Sequence, residues 1–163
     1  MRVRNILCPR QRCEVILSAA EVLAKSTRTL GGVVVLSATF NDIRHCESFV
    51  GVQFENCTFS KYIRIAGSTF ENCVFHNCIF SCDFFDCEFV NCKFVKCEFW
   101  QLSMTNILLE SSEMSNCDFQ YCHCWAVTGG VMADCAMFFC KFLCTGIELE
   151  NCQLEYVSIN DPD

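Results

Sequence analysis

"DCEFVNCKFVKCEFW", residues 86–100, repeats every five residues. Cysteine stands at 87, 92 and 97, and phenylalanine follows two places later at 89, 94 and 99. A period of five is neither the 3.6 of an α-helix nor the 2 of a continuous strand. It suits a chain that makes a short extended piece, turns, and starts again. Within each piece the Cys and the Phe, two residues apart, fall on the same side, as alternate strand positions do.

Outward from this stretch the phase runs far in both directions. Phe49, Phe54 and Phe59 form an early run, and Phe70, Phe75 and Phe80 a second. Met104, Leu109, Met114 and Phe119 carry it on, with Leu102, Ile107, Ser112 and Cys117 two places earlier. The pairs Ile147/Leu149, Cys152/Leu154 and Val157/Ile159 repeat the theme near the C-terminus. One residue is gained near Tyr62, and the step from Cys78 to Cys82 is four. Residues 126–136, "AVTGGVMADCA", break the pattern, and the phase is ambiguous from Cys135 to Cys144.

The residue between Cys and Phe is expected to face outward. It is polar at Thr58, Glu88, Lys93, Glu98 and Asp118, with Val74 and Ile79 as exceptions. Asn precedes Cys at 56, 72, 77, 91, 116 and 151. Asn tolerates turn geometry and bonds its own backbone, so these positions read as corners. A small thiol fits a crowded inner corner and a ring fills the axis.

Stretches such as "NCTF", "NCVFHNCIF" and "NCKF" resemble the pentapeptide-repeat family, in a Cys/Phe-rich version. The likeness is good over 46–125 and looser over 135–160. It implies an all-β fold, a right-handed quadrilateral β-helix with four units per coil. Residues 46–160 then make between five and six coils, a stack of about 25–29 Å at the strand spacing. Cys stands where the family usually has Ala.

The first 45 residues differ. "EVILSAAEVLAKSTRT", Glu14 to Thr29, reads as a helix with Leu17, Ala20 and Leu23 on its apolar side, and Gly31 to Phe40 as a strand entering the solenoid. Solenoid ends need covering, so the helix is expected to act as an N-terminal cap. The expected division is an arm, helix and capping strand over 1–45 and a repeat domain over 46–163.

The chain has 163 residues, 17 of them Cys and 16 Phe, and is 52% hydrophobic. An odd cysteine count, a chain long enough to form a core unaided, and thiols in phase with Phe favour reduced, structural cysteines and a reducing compartment. The "NCT" sequon at Asn56 falls out of the repeat itself and carries little weight. No run of about 18 apolar residues suggests a membrane span. Near the start, the apolar stretch Ile6 to Cys8 is too short for a secretory leader. Residues 1–30 sum to +4 and residues 101–163 to −8, within a net charge of −7. The acidic end reads first as a solvated surface and second as a site for a basic partner.

Chemistry is weakly signalled. Cys117, Cys122, His123 and Cys124 offer metal-ligand types, but alternation would send His123 away from its two neighbours. Cys8 and Cys13 are a second weak candidate. His45, His76 and His123 each lie beside a repeat Cys, where strand neighbours face opposite ways, so no Cys–His nucleophile is expected. No catalytic residue, cofactor or metal ligand is assigned.

The expectation is a non-catalytic protein-interaction scaffold, an accessory or structural subunit of a multi-subunit assembly. It would bind protein rather than nucleic acid. The residues assigned to partner binding are Arg2, Arg4, Arg10 and Arg12 of the arm and the outward aromatics Tyr62, Trp100, Tyr121 and Trp125. The resemblance implies an alternative, since quinolone-resistance members of the family imitate DNA and protect or inhibit a type II topoisomerase. Those members end in a helix, whereas this chain ends in "EYVSINDPD". A third reading is a luminal or extracellular recognition module, as in repeat domains of synaptic vesicle glycoproteins, which needs an oxidising compartment.

Overall fold

A computed structural model describes residues 15–17, 29–40 and 48–160. Every described element is a short strand, most of three residues, and all pairing is parallel. An eight-stranded sheet and a seven-stranded sheet form two walls. A nine-stranded sheet forms the other two by bending round a corner within single strands such as Asp83–Val90. The result is a four-sided parallel β-solenoid. In chain order the faces are first (Thr69–Glu71), second (Val74–His76), third (Ile79–Phe80) and fourth (Asp83–Phe85), and then the first again.

Each five-residue unit supplies two buried side chains, two outward ones and a corner. Cys87, Cys92, Cys97, Leu102, Ile107, Ser112 and Cys117 are all at most 3% exposed, as are Phe89, Phe94, Phe99, Leu109, Met114 and Phe119. The Asn positions are the corners: Asn56, Asn72, Asn77, Asn91, Asn116 and Asn151 have φ between 50° and 54°. Asn bears this left-handed conformation better than most residues. Corner amides bridge successive turns, Asn77 Nδ2 donating to Asn56 Oδ1 at 2.6 Å and Asn91 Nδ2 to Asn72 Oδ1 at 2.5 Å.

The thiols have a polar task beside filling space. Along the corner between the second and third faces they form a column of Cys57, Cys78, Cys97, Cys117, Cys135 and Cys152. Each Sγ donates to the carbonyl of a central residue one turn earlier: Cys78 to Phe54 at 3.4 Å, Cys97 to Phe75 at 3.4 Å, Cys117 to Phe94 at 3.5 Å. Ser112 does the same to Phe89 at 2.9 Å. A small weak donor is what this corner requires, because a buried carbonyl left unpaired is costly.

The axis is filled with rings. Phe54, Phe75 and Phe94 stack at centroid distances of 4.9 and 4.6 Å on the second face. Phe40, Phe59, Phe80, Phe99 and Phe119 stack at 4.5–5.0 Å on the third. Neighbouring columns meet edge to face, as for Phe54 and Phe59 at 5.5 Å, the arrangement that ring quadrupoles favour.

Two features depart from the sequence reading. The helix expected over 14–29 is not formed by its described residues. Val15–Leu17 is a strand in register with Val33–Val35, and Thr29–Gly31 is another, while 14 and 18–28 lie outside the described residues. Apolar spacing fits either form, and here an open sheet edge recruits the segment as a strand. Gly31 to Phe40 is not one strand entering the solenoid: it already turns corners at Gly32 and Ser37, so residues 29–40 form rungs. With eight strands on the second face the stack spans about 34 Å, because Val15–Leu17 and Val33–Leu36 add two rungs ahead of the six within residues 46–160.

The turns also shorten. Corresponding central residues on the second face are 54, 75, 94, 114, 132 and 149, giving turns of 21, 19, 20, 18 and 17 residues. The inserted residue lies at the Lys61–Tyr62 turn, and the four-residue step from Cys78 to Cys82 compensates for it. The shortening from 20 to 18 falls on the first face, where Gly129 and Gly130 cut the corner, and the further loss to 17 falls at the register shift where Trp125 and Val127 pair with Leu143 and Cys144. A Cβ on Gly130 would meet Leu109 Cβ at 2.9 Å, and its φ is +92°, so only glycine fits.

Candidate binding surface

The four outward aromatics named from sequence are exposed, but they do not form one patch. Tyr62 is 78% exposed on the inserted turn, beside Lys61 Nζ at 5.5 Å from its ring centre. Trp100 ends a third-face strand, and Tyr121 is the corner residue between the third and fourth faces. Trp125 lies across the fourth face, toward its other edge. Arg2, Arg4, Arg10 and Arg12 lie outside the described residues.

Tyr121 has partners that the sequence did not reveal. Tyr121, Phe139 and Tyr156 occupy the same corner in three successive turns, each in the left-handed conformation with φ of 56°, 51° and 55°. Their rings stack at 5.4 and 4.6 Å with planes within 5°. Phe138, the last strand residue before Phe139, stands nearly perpendicular to Phe139 and Tyr156. Phase was ambiguous from 135 to 144, and turns of 18 and 17 residues hid the column. The signal available was an aromatic at each of 121, 139 and 156.

Beside this corner, the third face carries a hollow of about 300 Å³. It is floored by Ala136 and lined by Asp118, Gln120, Phe138, Gln153 and Glu155. Asp118 and Glu155 are exposed, and neither has an ion-pair partner among the described residues.

The histidines and cysteines do not meet as chemistry. Cys122 and Cys124 are buried, while His123 between them points to solvent. His76 faces outward, 3.9 Å from Glu55. Burial pushes the Cys82, Cys87 and Cys124 thiols up from their ordinary range, so they remain protonated and unreactive near neutrality. Among the described residues no group of three or more His, Cys, Asp or Glu converges on a metal position. No helix among them is long and apolar enough to cross a membrane.

Five-residue units, four to a turn, with left-handed corners and a buried central ring, define a pentapeptide-repeat β-solenoid. No family's sequence model matches the chain, and no curated protein matches it. Solved structures similar to it include a trypsin-treated form of QnrB1, a plasmid-mediated fluoroquinolone resistance protein. It is 14% identical, with 77% of this chain and 91% of that one covered and a TM-score of 0.29. Another is HetL, a pentapeptide-repeat protein involved in heterocyst differentiation regulation from the cyanobacterium Nostoc sp. strain PCC 7120. It is 10% identical, with 90% and 98% covered and a TM-score of 0.23. The architecture rests on the parallel pairing register and the left-handed corners of this chain.

Proposed function

We propose that this protein is a non-catalytic interaction scaffold, an accessory or structural subunit that presents a rigid wall to a protein partner. The observation that supports it is the placement of its side chains. The thiols that chemistry would need are sealed in the axis, and the outer walls carry an aromatic corner column with unpaired carboxylates beside it. Exposed aromatics with rim charges are the composition of protein interfaces. Purification of the tagged chain from its native source tests this. A partner at constant stoichiometry through size exclusion is expected, and a chain that always runs alone would refute it.

Acidic mimicry of DNA is a second reading, supported by the charge of −8 over residues 101–163. The exposed rings of Tyr121, Phe139 and Tyr156 weigh against it, since a duplex presents phosphate along its edges rather than an apolar corner. A supercoiling assay in which added protein changes nothing would remove it.

A further inference from the structure

We propose that the hollow between Asp118, Phe138 and Glu155 holds an arginine side chain from an extended segment of a partner protein, the rest of that segment lying along the Tyr121–Phe139–Tyr156 corner. This rests on the scaffold reading and names the chemistry of its partner.

The fourth face contains the template. There Arg64, an outward residue at a strand start, lies over the ring of Phe85, the outward residue that ends the fourth-face part of the adjacent strand, at 4.6 Å. Asp83, the register neighbour of Arg64, adds a carboxylate on the same face. On the third face Asp118 and Phe138 occupy the same diagonal of adjacent strands. The place of the cation is taken by a carboxylate, and its register neighbour is the small Ala136 rather than a filling side chain. Glu155 is the register neighbour of Phe138 on the other side. Among the described residues the hollow therefore has a ring wall and two carboxylates but no cation. A guanidinium supplies the missing charge, a planar fork for carboxylates and a flat face for the ring.

The surroundings are balanced: Glu98 and Asp134 are offset by Lys96 on the preceding corner and Lys141 on the fourth face, so the negative charge of the hollow is that of Asp118 and Glu155. Strands two turns apart are separated by about 10 Å, which an extended peptide covers in about three residues. A short segment thus reaches from the hollow along the ladder.

The test uses a labelled nine-residue peptide with arginine at alternate positions and a twin carrying citrulline instead, both read by fluorescence anisotropy against the full chain. The arginine peptide should bind, with the twin, Asp118→Asn and Phe138→Ala each about tenfold weaker, as expected for loss of one charge-assisted contact. Glu88→Gln, an outward carboxylate on the first face, should change binding by less than about twofold, because screened distant charge contributes little. Equal binding of the two peptides, equal losses in Glu88→Gln and Asp118→Asn, or no binding at all would overturn the proposal. A native partner that stays bound to Asp118→Asn and Phe138→Ala as tightly as to the parent would sink this site while leaving the scaffold reading intact.

Discussion

From Phe40 to Phe119 stacked rings fill most of the axis; in the last two turns, among the described residues, Phe142 is the one ring left inside, while three aromatics stack on an outer corner. The earlier turns are 19–21 residues long and carry stacked phenylalanines along the axis. The last two are 18 and 17 residues long and carry Met132, Met137 and Phe142 there, with a small space of about 30 Å³ toward Leu149 and Ile159 at the end of the stack. Meanwhile Tyr121, Phe139 and Tyr156 stack on an outer corner. One device, ring upon ring at the strand spacing, serves packing in the first region and display in the second. A smaller axial filler permits a shorter perimeter, and glycine at 130 lets the chain take the short way. On the proposed reading, the early region holds the shape and the late region offers it to a partner.

The largest effect should come from Phe94→Ala, which removes a ring stacked on Phe75 and edge-on to Phe80 and Phe89. A loss of about 3–5 kcal/mol is expected in urea unfolding, whereas Met132→Ala should lose only about 2 kcal/mol because its surroundings are already looser. Equal losses would break the comparison. High pH comes next. Because burial raises the Cys82, Cys87 and Cys124 thiols in the folded chain, their contribution is intact below the ordinary thiol value of 9.0 and is lost as pH climbs above it. Each should cost about 1.4 kcal/mol per pH unit beyond that point, so the thermal midpoint should fall steeply between pH 9 and 11 and stay level between 7 and 8.5.

Gly130→Ala should cost about 2 kcal/mol through its positive φ and the contact with Leu109. Asn91→Ala, at an ordinary corner with φ 52°, should cost about 1 kcal/mol. The smallest change is Cys97→Ser, about 1 kcal/mol or less, because a hydroxyl can donate to the Phe75 carbonyl as Ser112 donates to that of Phe89. A cost several times larger would mean that thiol size, not donation, matters at this corner.

Most of the solenoid was legible because its rule is local. The small side chain, the ring two residues on and the Asn before them each state their own position, so the central residues from Phe49 to Phe119 could be numbered in advance, except Ile65 and Phe84 beside the two slips. Even the slips at Tyr62 and at Cys78–Cys82 could be read, since they leave the flanking phase intact. What could not be read depends on other turns. Val15–Leu17 looks helical alone and becomes a strand because Val33–Val35 offers an edge. Phe139 and Tyr156 look unremarkable until the shortened turns bring them over Tyr121. Trp125, assigned with the other aromatics, lies apart because a fixed period locates a residue along the coil without telling which column it will join.

The central claim is that the thiols are interior filler and the walls are left for binding. Reaction with an aqueous thiol reagent, native against denatured, tests it most directly. Twelve of the described cysteines are buried, with Cys144 and Cys152 half-buried. Those twelve should resist reaction in the native chain, and all 17 cysteines of the sequence should titrate on denaturation. Rapid modification of most thiols in the native state, or a shortfall on denaturation caused by disulfides or bound metal, would contradict it.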